Sequence, residues 1–336
     1  MPFNEDFERT LRKTARRSLI LRRMHQRLVN KRQEILMIAA RWRAIAARER
    51  NSSERSNGVN PENMIWIFGS GRSGSTWLRS MMEEMSGYRV WEEPMVGMLF
   101  GEFYDKTQAG NVRSADFIMG DPVRKGWIRS IRNFILDGAG YSKPGLTAEE
   151  YLVIKEPNGS IGAPLLMEAL PESRMILLLR DPRDVVASVL DAAREGGWLY
   201  EGRDKGMAKR KRLADHKPNE FVRRRIKVYL KGISSARRAY EAHEGPKVLI
   251  RYEDLRSDTL TTMKSVCSTL GLPVDENELV RGVKKHSWEN IPQSEKGRGK
   301  FYRKAAPGGW KKDLTPRQVA LIEEMAAPIL EEFYLG

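Results

Sequence analysis

A glycine-rich turn between Gly69 and Gly74 is the stretch of this chain with the clearest capacity for chemistry. The turn contains Arg72 and is followed by two hydroxyl side chains, Ser75 and Thr76. Glycine permits backbone angles that other residues avoid, so the N–H groups of such a turn can converge on one anion. A helix that begins directly after the turn adds unpaired N–H groups and the positive end of its dipole. The turn therefore predicts a phosphate-like ligand.

The spacing of the turn is close to the phosphate loop of ATP- and GTP-binding proteins, G-x-x-x-x-G-K-[ST], but one residue differs. Gly69 and Gly74 are correctly spaced, whereas Ser75 stands where the phosphate-binding lysine belongs. The basic residue is Arg72, inside the loop. We therefore expect a phosphoanhydride donor other than ATP or GTP. A glycine-rich turn without a ligand stays an alternative for this stretch taken alone.

The elements that position this turn alternate between short apolar runs and helical segments. Five apolar runs are predicted as strands, at residues 64–68, 88–91, 151–155, 174–179 and 247–251. Helices are predicted at residues 75–86, 162–170, 182–194, 219–242, 258–270 and 316–333. Residues 95–150 are predicted as helices and loops, and residues 196–218 as a mobile flap. This alternation predicts an α/β fold in which a parallel sheet is flanked by helices on both faces.

Charged residues stand at the ends of three predicted strands. Glu92 and Glu93 follow the second strand, Lys155 and Glu156 lie at the end of the third, and Arg180 follows the fourth. In an open parallel sheet the carboxyl ends of the strands share one edge, and ligands bind there. Carboxylates at that edge can accept a proton, and cations can stabilise developing negative charge.

The composition narrows the class of protein. The chain has 336 residues and a net charge of +15, but residues 1–50 alone carry nine more basic than acidic residues. The remainder is only mildly basic, which disfavours nucleic acid as its partner. The single cysteine, Cys267, excludes an internal disulfide framework and a cysteine-based metal site. We find no run of 18 uncharged apolar residues and no secretory signal, and we expect a cytoplasmic protein.

The first 50 residues are predicted to form one long basic helix. A linker at residues 51–63 and a catalytic domain at residues 64–336 follow it. Between residues 21 and 45, apolar residues recur at three- and four-residue steps, which favours a coiled coil and a homo-oligomer. The alternatives are peripheral contact with an anionic membrane surface, an Arg-rich transit peptide, and packing against the chain's own domain.

Three further motifs follow the glycine-rich turn along the chain. Arg180 is followed eight residues later by Ser188. Residues 248–255 read Val-Leu-Ile-Arg-Tyr-Glu-Asp-Leu. Residues 301–311 begin with Phe-Tyr-Arg-Lys and end with Gly-Gly-Trp-Lys.

Together with the Arg-Ser-Gly-Ser-Thr-Trp sequence of residues 72–77, these motifs resemble, in the same order, those of sulfotransferases that use 3′-phosphoadenosine 5′-phosphosulfate (PAPS). The resemblance covers roughly residues 64–333 and is closer to the carbohydrate-type and bacterial branch than to the cytosolic branch. It implies a P-loop NTPase-like fold and no metal. The nucleotide-binding residues that it implies are Arg72, Ser73, Gly74, Ser75, Thr76 and Trp77 at the phosphosulfate and adenine, and Arg180, Ser188, Arg303 and Lys304 at the 3′-phosphate.

The resemblance also implies the reaction. A sulfuryl group would pass from PAPS to a hydroxyl or amine of a small-molecule, lipid or carbohydrate acceptor, leaving adenosine 3′,5′-bisphosphate. Glu93 resembles the base of the carbohydrate-type and bacterial relatives, with Glu156 and Glu92 as alternatives. Lys155 and Arg72 would act as electrostatic stabilisers. None of the four histidines lies near these motifs.

The sequence departs from the family pattern in two places. Ala305 stands where the family has glycine after its Arg-Lys pair, and Pro316 and Ala320 interrupt the family's dimer motif.

Two competing functions stay open. One is a P-loop kinase acting on a small molecule, which the missing lysine at Ser75 disfavours. The other is a non-catalytic basic protein that binds a nucleotide or nucleic acid.

Overall fold

A computed structural model describes residues 59–106, 124–199 and 213–335 of the chain. The predicted N-terminal helix at residues 1–50, its apolar seam at residues 21–45 and most of the predicted linker lie outside these residues. Residues 200–212 of the predicted flap lie outside them too. The predictions of a coiled coil, an oligomer, membrane contact and a cytoplasmic location stay predictions.

Five parallel strands form a sheet in the described part of the chain. They are β1 (Met64–Gly69), β2 (Tyr88–Glu92), β3 (Tyr151–Lys155), β4 (Arg174–Leu179) and β5 (Lys247–Arg251), in the spatial order β2-β3-β1-β4-β5. In register, Ile65 of β1 lies opposite Val153 of β3 and Arg174 of β4. Every residue of the central strand β1 is buried, as expected for a parallel strand covered on both faces.

Helices cover both faces of this sheet, which confirms the predicted α/β fold. In chain order they are α1 (Ser75–Glu83), α2 (Val96–Lys106), α3 (Arg124–Ser142), α4 (Ala163–Ala169), α5 (Pro182–Ala193), α6 (Pro218–Ala242), α7 (Tyr252–Ser257), α8 (Thr259–Thr269), α9 (Glu276–Lys285), α10 (Trp310–Asp313) and α11 (Pro316–Phe333). The sequence did not predict α7, α9 or α10. Among the described residues, no helix combines the length and the apolar character that a membrane span requires.

The alternating side chains of β1 separate the two cores of the molecule. Trp66 and Phe68 pack on one face with α3, α4, α5, α6 and α11. Ile65 and Ile67 pack on the other face with α1, α7, α8 and α9. Because the sheet is held on both sides, the carboxyl ends of its strands form a rigid edge on which functional side chains can be positioned.

Candidate active site

A cavity of about 1060 Å³ opens at the carboxyl edge of the sheet. Its wall includes the glycine-rich turn, the residues that follow β2, β3 and β4, one side of α5 and α6, and residues 285–305. Most of the predicted site residues line it: Arg72, Gly74, Ser75, Thr76, Trp77, Glu92, Glu93, Lys155, Arg180, Ser188, Arg303 and Lys304. Ser73 and Glu156 do not.

The glycine-rich turn has the geometry of an anion-binding loop. Gly74 has a φ of +93°, and a Cβ placed there would lie 2.6 Å from the ring of Tyr252, so both backbone and packing require glycine. The helix α1 begins at Ser75 without a side-chain cap, which leaves its first N–H groups available to a ligand. The hydroxyl of Ser160 anchors the start of the turn, with its Oγ 2.9 Å from the Gly69 nitrogen and 2.8 Å from the Gly69 oxygen.

Three arginines meet beside this turn. Arg180 donates from Nη1 to the carbonyl oxygen of Arg72 at 2.8 Å, and its guanidinium lies 4.2 Å from the ring centroid of Tyr252. Burial, with Arg180 and Arg303 nearby, lowers the pKa of Arg72 to about 10. Of the three, Arg303 pairs with Asp313 at 2.5 Å, whereas Arg72 and Arg180 have no carboxylate partner in the described chain. Such an accumulation of positive charge suits a multivalent anion.

Several buried polar atoms near these arginines also have no hydrogen-bond partner among the described residues. They are Ser70 Oγ, Ser73 Oγ, Trp77 Nε1 and Arg180 Nε. A buried polar group without a partner is costly, so each such group calls for an explanation. A ligand with several acceptor oxygens accounts for the orphaned Arg180 Nε best, since that atom belongs to the arginine cluster.

A lysine and two glutamates form a second charged group in the cavity. The Lys155 side chain is almost fully buried, and its Nζ lies 2.7 Å from Glu92 Oε1 and 2.5 Å from Glu93 Oε1. Glu92 Oε2 pairs with Arg79 Nε at 2.8 Å. Glu93 Oε2 accepts a hydrogen bond from Asn158 Nδ2 at 3.1 Å, and a third of the Glu93 side chain is exposed. Both oxygens of Glu92 are therefore held by cations, whereas one oxygen of Glu93 is held by a neutral amide.

Residues 296–310, which we call the closing loop, complete the wall of the cavity. Asp184 of α5 accepts hydrogen bonds from the N–H groups of Gly308 and Trp310 at 2.7 and 2.8 Å. Near the C-terminal end of α5, Asp191 Oδ2 accepts a hydrogen bond from the Gly299 nitrogen at 2.8 Å. Ala305 has a φ of +47°. The turn therefore keeps the left-handed backbone that glycine favours, although alanine replaces the glycine of the family pattern.

Residues 64–276 match the model of the sulfotransferase family. The chain belongs to this family. As a sulfotransferase it is an enzyme that transfers a sulfuryl group, which confirms the family and the class of enzyme predicted from the sequence motifs. A comparison with curated proteins gives no match.

Solved structures support the fold of this sulfotransferase. The mouse sulfotransferase SULT7A1, in complex with PAP, is 16% identical, with 83% of this chain and 87% of that chain covered and a TM-score of 0.51. The sulfotransferase STF9 from Mycobacterium avium is 13% identical, with 83% and 78% covered and a TM-score of 0.50. At these identities the likeness establishes the architecture alone.

The structure does not support Glu156 as a base of the sulfotransferase. Its side chain is completely buried and does not line the cavity. Its two carboxylate oxygens accept hydrogen bonds from the N–H groups of Met95 and Gly97, at 3.0 and 3.1 Å. Burial raises the pKa of Glu156 to about 7. The residue therefore fixes the start of α2, and of the three glutamates predicted as the base only Glu92 and Glu93 line the cavity.

Replacing Glu156 with alanine is expected to lower the free energy of unfolding by about 2–5 kcal/mol, because two buried N–H groups lose their acceptors. Urea denaturation of the variant measures this loss. The matched control is Glu324→Ala, which removes an exposed glutamate of α11 and should change stability by less than about 0.5 kcal/mol. Equal stability of the two variants would contradict the role of Glu156.

The Glu156 carboxyl group also makes the stability of the fold depend on pH, and the direction of this dependence follows from its pKa. Its pKa of about 7 in the folded state lies above the ordinary value of 4.5, so the folded chain binds this proton more tightly than the unfolded chain. Its contribution to stability is fully present below pH 4.5 and is lost as the pH rises toward 7. Glu156→Gln should lack this part of the pH dependence.

Proposed function

We propose that this sulfotransferase moves the sulfuryl group of PAPS to a hydroxyl or amine of a small-molecule acceptor, with Glu93 as the base. The observation that carries the proposal is the presence of two anion-binding groups around one cavity. One is the arginine cluster of Arg72, Arg180 and Arg303, and the other is the uncapped start of α1 in the glycine-rich turn. PAPS carries anionic groups at two positions, and a nucleoside triphosphate does not.

The residues present fit this donor at both ends. At the phosphosulfate end, the uncapped N-terminus of α1 offers N–H groups, and Ser75 and Thr76 offer hydroxyls. At the 3′-phosphate end, Arg180 offers its unpartnered Nε, and Ser188 a hydroxyl. The mouse relative with bound PAP supports the same donor for this chain.

The surroundings of the two glutamates favour Glu93 as the base. Both oxygens of Glu92 are taken up by ion pairs, one with Arg79 and one with Lys155, so neither is directed at an acceptor. Glu93 pairs with Lys155 through one oxygen and accepts a neutral amide hydrogen bond through the other. Both side chains are partly exposed, so the number of paired oxygens and not exposure separates the two glutamates.

The proposed reaction is an in-line transfer of the sulfuryl group. The acceptor oxygen or nitrogen forms a bond to sulfur as the bond between sulfur and the bridging oxygen breaks, and that electron pair leaves with the bisphosphate. Glu93 takes the proton of the acceptor. Lys155 and the N–H groups at the start of α1 stabilise the negative charge that develops around the transferred group. The products are a sulfated acceptor and adenosine 3′,5′-bisphosphate.

The lining of the cavity away from the glycine-rich turn favours an acceptor with an apolar part. Met98, Leu199, Phe221 and Val228 contribute apolar side chains there. Apolar walls with a few polar groups are typical of small-molecule sites. An acceptor panel should therefore begin with phenols, hydroxylated polycycles and lipid alcohols, and it should include carbohydrates for comparison.

Calorimetry with adenosine 3′,5′-bisphosphate tests the donor site. We expect the wild-type chain to bind this nucleotide, and Arg180→Ala to bind it about 10- to 100-fold more weakly because a charge-assisted contact is lost. The matched control is Arg317→Ala, which removes an exposed arginine of α11 and should bind as the wild type does.

Transfer of label from [35S]PAPS to the acceptor panel then tests the reaction. No binding of the bisphosphate together with hydrolysis of ATP would favour the kinase instead. Salt-sensitive binding of DNA through residues 1–50, without nucleotide binding by the remainder, would favour the non-catalytic protein.

A further inference from the structure

The turn from Glu93 to Met95, which carries the proposed base, has a strained backbone. Glu93 has a φ of +42° and Met95 a φ of +62°, and a residue with a Cβ seldom adopts such positive values. Pro94 stands between them and has no N–H group to help hold the turn. A strained conformation of this kind persists only where its surroundings fix it. The direction of the Glu93 side chain therefore depends on what holds the turn.

Two successive residues at the end of β3 hold this turn through three backbone N–H groups. The Lys155 carbonyl oxygen accepts a hydrogen bond from the Glu93 nitrogen at 2.9 Å. The Glu156 carboxylate accepts one from the Met95 nitrogen at 3.0 Å, through Oε2, and one from the Gly97 nitrogen at 3.1 Å, through Oε1. The first contact joins two backbones, whereas the other two depend on a single side chain.

The Glu156 side chain is itself fixed in place. Its backbone N–H group donates to the Ile67 carbonyl oxygen of β1 at 3.0 Å. Its carboxylate packs against Gly159, where a Cβ would lie 1.9 Å from Oε1. Gly97 lies against the same backbone, since a Cβ there would be 2.1 Å from the Gly159 oxygen. The carboxylate therefore has no space to move toward Gly159, and it holds the turn at a defined distance from the sheet.

These contacts differ from an ordinary helix cap. A cap side chain usually stands just before the helix that it caps. Glu156 instead reaches Met95 from a strand end 61 residues further along the chain. It is completely buried, and a carboxylate in that environment is costly unless its hydrogen bonds are made. The contact thus ties the turn to the sheet edge at which Lys155 lies beside Glu93.

We propose that Glu156 is a positioning residue, which keeps the Glu93 carboxylate directed at the acceptor by clamping the strained turn to the end of β3. The inference rests on the proposed function, because it assumes that Glu93 is the base. Glu156 does not line the cavity, so it acts through Glu93 and not on the reactants. Its loss lowers the rate of transfer and spares nucleotide binding, since a displacement of about 1 Å at a reacting group can cost about 10²-fold in rate.

A double-mutant cycle with the base tests the proposal. Glu156→Gln keeps the shape of the side chain but turns an NH₂ group toward one of the two N–H groups, so one hydrogen bond is lost. We expect kcat for transfer from PAPS to fall by about 10- to 100-fold, with the affinity for adenosine 3′,5′-bisphosphate changed by less than about twofold. In a Glu93→Gln background the same substitution should lower kcat by less than about threefold, because no base remains to be positioned.

Two results would overturn the proposal. An equal loss of kcat in both backgrounds would show that the effect does not pass through Glu93. A wild-type kcat in Glu156→Gln would show that the turn holds the base without this carboxylate. The proposed function is tested separately by the single variant Glu93→Gln. If that variant keeps the wild-type kcat, the assignment of the base fails and the role of Glu156 fails with it.

A remote core substitution controls for lost stability. Val266 of α8 is buried on the opposite face of the sheet from Val96, the first residue of α2. We expect Val266→Ala to lower the melting temperature and to keep kcat within about twofold of the wild type at a temperature where it is folded. A loss of kcat in Val266→Ala as large as that in Glu156→Gln would assign the effect to stability and overturn the proposal.

A conservative variant keeps the test valid if Glu156→Gln does not fold, which thermal unfolding will show. Glu156→Asp retains the carboxylate but is shorter by one methylene, so it cannot reach both N–H groups at once. We expect its kcat to lie between those of the wild type and Glu156→Gln, and to differ from its background only when Glu93 is present. A wild-type kcat in Glu156→Asp would overturn the clamping geometry.

Discussion

Replacing Glu93 with glutamine is expected to lower kcat by about 10²- to 10⁴-fold, the range by which a positioned base accelerates proton transfer. Glutamine has the shape of glutamate and can still accept a hydrogen bond from Lys155, but it does not take a proton from the acceptor. The affinity for adenosine 3′,5′-bisphosphate should change little, because in the proposed reaction Glu93 contacts the acceptor and not the nucleotide. Steady-state transfer from PAPS and calorimetry with the bisphosphate measure the two quantities.

The control for this variant is the neighbouring glutamate. Glu92→Gln removes the ion pairs with Lys155 and Arg79 and leaves Glu93 in place. We expect its kcat to fall by less than about tenfold, since the proton acceptor remains. A loss in Glu92→Gln as large as that in Glu93→Gln, or a larger one, would contradict Glu93 as the base.

Replacing Lys155 with methionine is expected to lower the rate of sulfuryl transfer by about 10²- to 10³-fold, because the charge that stabilises the transferring group is removed. The substitution also leaves Glu92 and Glu93 beside each other without their shared cation. Single-turnover rates with PAPS measure the loss.

A surface lysine provides the comparison for this variant. Lys264 of α8 forms an ion pair with Glu276 on the outside of the molecule, so Lys264→Met removes the same charge from a solvated position. We expect a rate within about twofold of the wild type. A rate of Lys155→Met within that same range would contradict the role of Lys155 in stabilising the transferring group.

The sequence predicted the sheet well because buried parallel strands carry a strong local signal. Residues 151–155, 174–179 and 247–251 are strands with the predicted bounds. The helix α9 was missed because its sequence is strongly polar and only Leu279 and Gly282 are buried, although its few apolar residues lie on one face. In α2, Gly97 and Gly101 lower helix propensity, yet they are required because a Cβ at either position would collide with the backbone of residues 159–162.

The site was predictable to the extent that it follows strand ends and local motifs. Glu93, Lys155 and Arg180 each stand at or just after the end of a strand, and the structure brings them to one cavity. Asp184 and Asp191 were missed because they hold residues more than 100 positions away, and a contact of that kind leaves no local pattern. The sequence also does not separate Glu93 from Glu156, since each follows a strand and only burial distinguishes them.

The two aspartates of α5 hold the closing loop at two points. Asp184 and Asp191 are seven residues apart, which places them about 10 Å apart along one rigid helix. The segment from Gly299 to Gly308 is therefore a strap with both of its ends tied to the same support. Arg303 and Lys304 lie at the middle of this strap, and both pair with Asp313 beyond its end. Anchoring at three points therefore keeps these two cations at the wall of the cavity.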